Sequence, residues 1–262
     1  MKDRLERDLL GEKKIQSSAY FGINTQRAME NFNLGGKIVN LNLIREIALI
    51  KKAAAIVNRD LKEMSSDKAD AIIRASEEVI EGRFDDQFNL SAFQGGAGTS
   101  TNMNVNEVVA NRAIEILGGK KGQYTLVHPL NDVNMSQSTN DVYPTALRIA
   151  AIRQIRKLSN CLTDLQEELQ VKENEFSDMI KLGRTQLMDA LPMMAGQGFG
   201  AYAKAIARDR WRIYKVEERL REVNIGGTAI GTGLNARNKF IYEITDVLQN
   251  LTGLGLAIIP WI

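Results

Sequence analysis

Along most of the chain, apolar positions recur in alternating steps of three and four, the period of a helix with one buried face. Leu43, Ile47, Ile50, Ala54, Val57 and Leu61 follow it and predict a helix over 42–62. A second is expected over 67–81, with Ser66 as amino cap and Gly82 as stop. A third is expected from Asn102 to Leu117, closed by Gly118 and Gly119. The longest predicted helix runs from Asn140 to about Phe176, striped by Leu147, Ala151, Ile155, Leu158, Leu162, Leu165 and Leu169. At ~1.5 Å per residue it would span ~50 Å, more than a compact domain of this size needs. Another long helix follows Pro192, with Ile206, Ile213 and Leu220 at heptad spacing, and a last one lies near Asn238 to Leu251. Two long helices joined by a short polar loop predict an antiparallel bundle, and the ordinary role of such stripes is core packing. With 4 prolines in 262 residues, the chain is expected to be mainly α.

The polar loops are placed with a pattern of their own. "GAGTSTNMN" opens the third helix, "VNMSQSTND" the longest, "LGRTQLMDALP" precedes the next and "VNIGGTAIGTGLNA" the last. Each is expected to set hydroxyl and amide donors at a helix amino terminus, where unpaired N–H groups and the helix dipole favour an anion. Thr99 with Ser100, and Ser138 with Thr139, are thus candidate cradles for a carboxylate or phosphate. They are equally good helix caps, since Ser, Thr and Asn are the favoured capping residues. The first loop lies in an uncharged stretch, Gln87 to Asn106, although a quarter of the chain is charged.

Composition removes several classes of partner. Lys and Arg number 34 against 32 Asp and Glu, and a net charge of +2 supplies no field for nucleic acid or an anionic membrane. Among the first fourteen residues nine are charged, which leaves no apolar signal-peptide core, and no run approaches the ~18 apolar residues of a membrane span. The single cysteine, Cys161, excludes an intrachain disulfide. A cytoplasmic location is expected. One histidine, His128, cannot build a histidine-ligated metal site, and no CxxC pair, GxxxxGK[ST] loop or GxGxxG spacing occurs. His128 itself reads as a surface or capping residue.

The stretches "QGGAGTSTNMNVNEVVANRA", "NDVNMSQSTNDVYPTALRIAA", "LGRTQLMDALPM" and "EVNIGGTAIGTGLNA" together resemble the aspartase/fumarase superfamily, and the likeness runs in order from "DLLGEKKIQSSAYFGINTQRAMENF" to the end of the chain. The resemblance implies a helical amino-terminal domain over 1–137 and an incomplete long-helix bundle over 138–262. It implies the chemistry of ammonia-lyases acting on aspartate, with class II fumarase-like hydration as the alternative: "QGGAGTS" is closer to the ammonia-lyases, and Gln186 stands where fumarases carry histidine. Carried over by motif, Thr99, Ser138 and Thr139 would hold the substrate's carboxylates, Asn140 and Gln186 would contact its amino group, and Thr185 the other carboxylate. Ser138, Thr139 and Gln186 would be the catalytic set. A proton leaves the carbon beside one carboxylate, which becomes an aci-carboxylate, and preplaced neutral donors stabilise that charge more than the resting substrate. No cofactor is implied; activation by a divalent cation would leave no ligand motif. A small dicarboxylate, aspartate or fumarate, is the expected ligand and a homotetramer the expected assembly, with neither nucleic acid nor membrane.

Two departures limit the likeness. Around His128 the superfamily often reads "HPNDxVN", whereas "HPLNDVN" here sets Leu130 and Asn131 in mid-motif. The signature loop of glycine and two serines, which supplies the proposed general base, occurs nowhere in the 262 residues. The chain alone is therefore expected to be inactive, and a truncated, non-catalytic helical assembly protein is a third reading. The apolar tail from Leu254 to Ile262 is expected to need cover from helices outside the chain.

Overall fold

The computed structural model describes residues Asp3–Ile259. A hairpin of β1 (Asp3–Asp8) and β2 (Gly11–Gln16) leads into α1 (Ile23–Asn31), α2 (Leu41–Asp60), α3 (Ser66–Ile80) and α4 (Thr99–Ile116). Then come α5 (Thr139–Glu175), the hairpin of β3 (Ile180–Thr185) and β4 (Met188–Met194), α6 (Ala195–Leu220), β5 (Glu222–Val223), α7 (Asn238–Thr252) and β6 (Ala257–Ile258). The protein is mainly α. It forms two compact units, one made of the chain up to Ala150 together with the chain from Arg221 onward, the other of Ala151–Leu220. That partition differs from a division at 137/138, because α5 begins in one unit and ends in the other.

The first unit is built on α2, which packs against α3, α4 and α7. Its expected stripe is the buried face: Ile47, Ile50, Ala54 and Val57 are sealed together with Ile72 and Val79 of α3, Val105 and Val109 of α4, and Phe240 and Ile244 of α7. Asn40 starts α2 by accepting the Asn42 N–H at 2.9 Å. Gly118, with φ 80°, ends α4 in the left-handed conformation that only glycine takes without strain. Helix α3 begins at Ser66 itself, so the cap position falls to Ser65, one residue earlier than expected. Helix α4 begins at Thr99, not Asn102, so Thr99 and Ser100 belong to its first turn. The tail also differs from expectation: Leu254 and Leu256 are buried within the chain, and Ala257–Ile258 pairs in parallel with Glu222–Val223. Residues 260–262 of that tail lie outside the described residues.

In the second unit α5 and α6 run antiparallel. Phe176 stacks on Phe199, Gln166 accepts from Arg210, and Arg156 pairs with Glu217, so contacts that step backward along α5 step forward along α6. Gly196 and Gly200 let the helices approach closely, since a Cβ at either would overlap Glu173. The α5 stripe is not core: Leu158 and Leu165 in this unit, and Leu147 in the first, are about half exposed. "LGRTQLMDALP" is likewise not a loop at a helix amino terminus. It is a β-hairpin whose two turn residues, Gln186 and Leu187, both have positive φ, 52° and 61°. Pro192 lies within β4, opposite Leu182.

Candidate active site

The first turn of α5 is where three of the four polar motifs meet. Ser138 caps the helix: its hydroxyl accepts the Asn140 N–H at 3.3 Å, while Asp141 Oδ1 accepts the Ser138 N–H at 2.9 Å, a reciprocal box from the spacing Ser-x-x-Asp. The other Asp141 oxygen accepts the N–H groups of Gly226 and Thr228 at 3.2 and 2.8 Å, tying in the "NIGGTAIG" loop. Burial pushes the Asp141 carboxyl up to about 6, against the pull of these N–H donors. Pro144 has no N–H for the carbonyl four residues back, and the side chain of Asn224 supplies the missing donor, Nδ2 to Asn140 O at 3.0 Å. Asn140 Nδ2 in turn donates to Ala229 O at 2.7 Å.

The "GGAGTS" loop arrives at the same turn. Gly98, with φ 85°, precedes α4 and lies on the Tyr143 ring, so closely that a Cβ would sit 2.3 Å from the ring. Gln94 Oε1 accepts both the N–H and the hydroxyl of Thr101, at 3.1 and 3.0 Å, which satisfies an orphan donor of the α4 amino terminus. Between the loop and α5 lies a pocket of about 440 Å³, lined by Gln94, Gly96, Gly98, Asn140, Tyr143 and Leu147 among others. Thr99 is exposed at the start of α4 and Thr139 half-buried at the start of α5.

Behind these turns is a buried polar cluster that sequence reasoning missed. Lys51 of α2 is 0% exposed, and its Nζ donates to Asn134 Oδ1 at 2.8 Å and Gln137 Oε1 at 3.0 Å. Burial lowers its ammonium to about 7, partly opposed by the charge of Asp141. Asn134 Oδ1 also accepts from Asn102 and Asn106 of α4 at 3.1 and 3.2 Å, and Asn102 Nδ2 reaches Thr139 Oγ1 at 3.1 Å. A signal existed in the sequence. Lys51 is four residues after Ile47 and three before Ala54, within the apolar face of α2, where a charge is costly unless it has partners.

Ser138, Thr139 and Asn140 thus share one helix turn, with the loop before Thr99 packed on it. Thr185 and Gln186 belong to the second unit, where both are exposed, Thr185 at the end of β3 and Gln186 in the hairpin turn. His128 caps the π-type turn Pro129–Val133, its Nδ1 accepting the N–H groups of Leu130 and Asn131 at 3.1 Å each. Among the described residues no cluster of His, Cys, Asp and Glu could hold a metal, and no helix is long and apolar enough to cross a membrane. Chemically, the arrangement is a set of neutral donors at the positive ends of α4 and α5, suited to a small anion.

Helical units that carry donor loops at their helix ends define a class, and comparison with known proteins identifies it. A family model described as "Lyase" matches residues 11–262, and the chain belongs to that family, within the aspartase/fumarase superfamily. Aspartate ammonia-lyase of Bacillus subtilis (strain 168) is 46% identical over 254 residues, which cover 97% of this chain and 54% of the relative. A class II fumarate hydratase of Helicobacter pylori (strain J99) is 41% identical over 261 residues, covering 99% and 56%. Among solved structures, a fumarate lyase:delta crystallin from Brucella melitensis bound to cobalt matches with TM-score 0.97 at 46% identity, over 99% of this chain and 57% of the other. The chain spans about half the length of the curated relatives it matches.

Proposed function

We infer that this chain is part of a carbon–nitrogen lyase, an aspartate ammonia-lyase that converts L-aspartate to fumarate and ammonia. The observation that carries the reading is the meeting of three donor motifs at one helix turn, where the Thr139 hydroxyl accepts from Asn102 and so keeps its own proton for a ligand oxygen. In the proposed reaction a base removes a proton from the carbon beside one carboxylate, and the electron pair moves into that group. The resulting aci-carboxylate returns the pair to form the carbon–carbon double bond as the C–N bond breaks and ammonia departs. Ser138 and Thr139 would stabilise the aci-carboxylate; loss of one such donor typically lowers the rate ~10²- to 10³-fold. Thr99 and Thr185 would hold carboxylate oxygens, and Asn140 and Gln186 the amino group. The base, a serine of the superfamily's signature loop, is not in this sequence, so turnover calls for a second polypeptide region.

Fumarate hydration is the second reading, favoured by the class II fumarate hydratase at 41% identity. The test is ultraviolet detection of fumarate formed from aspartate or from malate by the chain supplemented with the missing region. Release from malate alone would replace the first reading by the second, and fumarate binding without turnover would leave a non-catalytic protein. Half-exposed Leu158 and Leu165 on α5, with exposed Trp211 and Tyr214 on α6, support a homotetramer assembled through the long helices. A cytoplasmic location goes with this reading. Sedimentation velocity tests the assembly, and a monomer at micromolar concentration would refute it.

A further inference from the structure

Lys51 takes no part in the reaction just described, yet its position is expensive. It is wholly buried, and neither of its hydrogen-bond partners is a carboxylate. A buried ammonium that is hydrogen-bonded only to amides is costly, even with the charge of Asp141 acting on it. What depends on it here is direction. An ammonium can only donate, whereas an asparagine amide can turn either its oxygen or its NH2 toward a neighbour. Beside Lys51, Asn134 must present Oδ1, and Asn102 and Asn106 must then present their NH2 groups to the same oxygen. Because Asn102 Nδ2 also reaches Thr139 Oγ1, the Thr139 hydroxyl is an acceptor on its inner side and its proton points away from the cluster. The enforced orientation has a visible cost: Asn102 Oδ1 and Asn106 Oδ1 are buried with no hydrogen-bond partner among the described residues.

We propose that Lys51 is a positioning residue, a buried donor that polarises the relay from Asn134 through Asn102 and thereby leaves the Thr139 hydroxyl proton free for an anionic ligand. The proposal rests on the reading of Thr139 as a carboxylate-binding donor. Without the ammonium, the Gln137 carbonyl, which accepts from Asn134 Nδ2 at 3.1 Å, is all that opposes Asn134 and Asn102 turning over together. Asn102 Oδ1 would then face Thr139, gain a partner, and draw the hydroxyl proton inward, away from any ligand.

The test uses the full 262-residue chain with fumarate as the probe, buffered below the value of about 7 to which burial lowers Lys51, so that the side chain is the ammonium the relay requires. Lys51→Met keeps the length of the side chain and removes its donors. It should shift the side-chain amide NMR signals of Asn102, Asn106 and Asn134, leave the melting temperature unchanged or raised, and weaken fumarate binding in calorimetry by about tenfold or more. Lys51→Arg, which also only donates, should keep the wild-type pattern of amide signals and most of the affinity. Unmoved amide signals in Lys51→Met, or lost affinity that merely tracks general unfolding, would overturn the proposal. If Lys51→Met fails to fold, the Arg variant decides, since an altered amide pattern there contradicts a relay set by donation alone. If the wild-type chain does not bind fumarate, the dicarboxylate reading falls, while the amide signals still report whether Lys51 sets the relay.

Discussion

Glu107 lies at the end of the uncharged stretch, on α4, and is 1% exposed. Its two oxygens accept from the backbone of Gly22, Asn24 and Thr25 at 2.8, 2.8 and 3.1 Å, from Asn24 Nδ2 at 3.0 Å and from the Thr25 hydroxyl at 2.6 Å. The carboxylate of one helix therefore caps the amino terminus of another, α1. Glu107→Ala strips the acceptor from that entry. Asn24 is exposed and can turn to water, but the N–H groups of Gly22 and Thr25 are buried, and each buried orphan costs ~1–3 kcal/mol. With the emptied side-chain volume added, the loss is about 3–5 kcal/mol. At ~2–4 °C per kcal/mol for a chain of this size, the melting temperature should fall by roughly 6–20 °C. Circular dichroism gives that number, and hydrogen exchange should show the amides of residues 22–25 opening first. Glu107→Gln, with one acceptor oxygen and a similar volume, should fall between the two. A drop below ~3 °C for the alanine variant, with residues 22–25 still protected, would refute the capping argument.

Lys51 should make stability depend on pH. Its ammonium is lowered to about 7 from a usual 10.5, so between those values the unfolded chain holds a proton that the native chain does not, and stability rises with pH; Lys51→Met should flatten that slope in urea titrations at pH 7 to 10. A Cβ at Gly98 would overlap the Tyr143 ring at a positive φ, so Gly98→Ala should destabilise by ~2 kcal/mol or more, and Gly98→Ala with Tyr143→Ala should recover part of the affinity for fumarate that the single variant loses. Asn224→Ala should cost ~1–2 kcal/mol by leaving the Asn140 carbonyl without its donor and the buried Thr145 hydroxyl without its acceptor, and only the first part should be recovered in a Pro144→Ala background, where a backbone N–H becomes available. Gln186→His should shift any lyase activity from nitrogen toward oxygen leaving groups, measured as the ratio of fumarate formed from aspartate and from malate.

How much of this could be read from the sequence depends on whether the signal is local. The helix positions were legible because a one-sided apolar period is local: α2 and α5 begin within one residue of where the stripes place them. Both hairpins escaped. β1 and β2 are dominated by charged residues without a period of two, and the β3–β4 turn is Gln186–Leu187, neither of which belongs to the usual positive-φ turn chemistry. The α5 stripe read as core, yet its leucines are half exposed in the single chain, because periodicity registers that a face is apolar and not what covers it. At the site, Ser138 and Thr139 were legible as donors at a helix start. Asn102, which donates to Thr139, Lys51 and Asn134 behind it, and Asn224 on the Asn140 carbonyl come from segments far apart in sequence, and only the fold brings them together.

Stability and orientation pull against each other at this turn. A chain selected only for stability would fill the space beneath Thr139 with apolar side chains, since replacing a buried charge and its partners by packed hydrophobes is often neutral or stabilising. Here the space holds an ammonium and three asparagines, two of them with an oxygen that has no partner among the described residues, while Asp141 and Pro144 make the helix end depend on the backbone of residues 226 and 228 and on the Asn224 side chain. Each choice gives up local stability and fixes the direction of a hydrogen bond. Direction matters most for a hydroxyl, whose proton otherwise rotates to the nearest acceptor. A helix cap needs only the oxygen of Ser138 and is indifferent to where the Thr139 proton points. On the proposed function the extra apparatus around Thr139 has a use, aiming a hydroxyl proton at an anion, that capping alone would not give it.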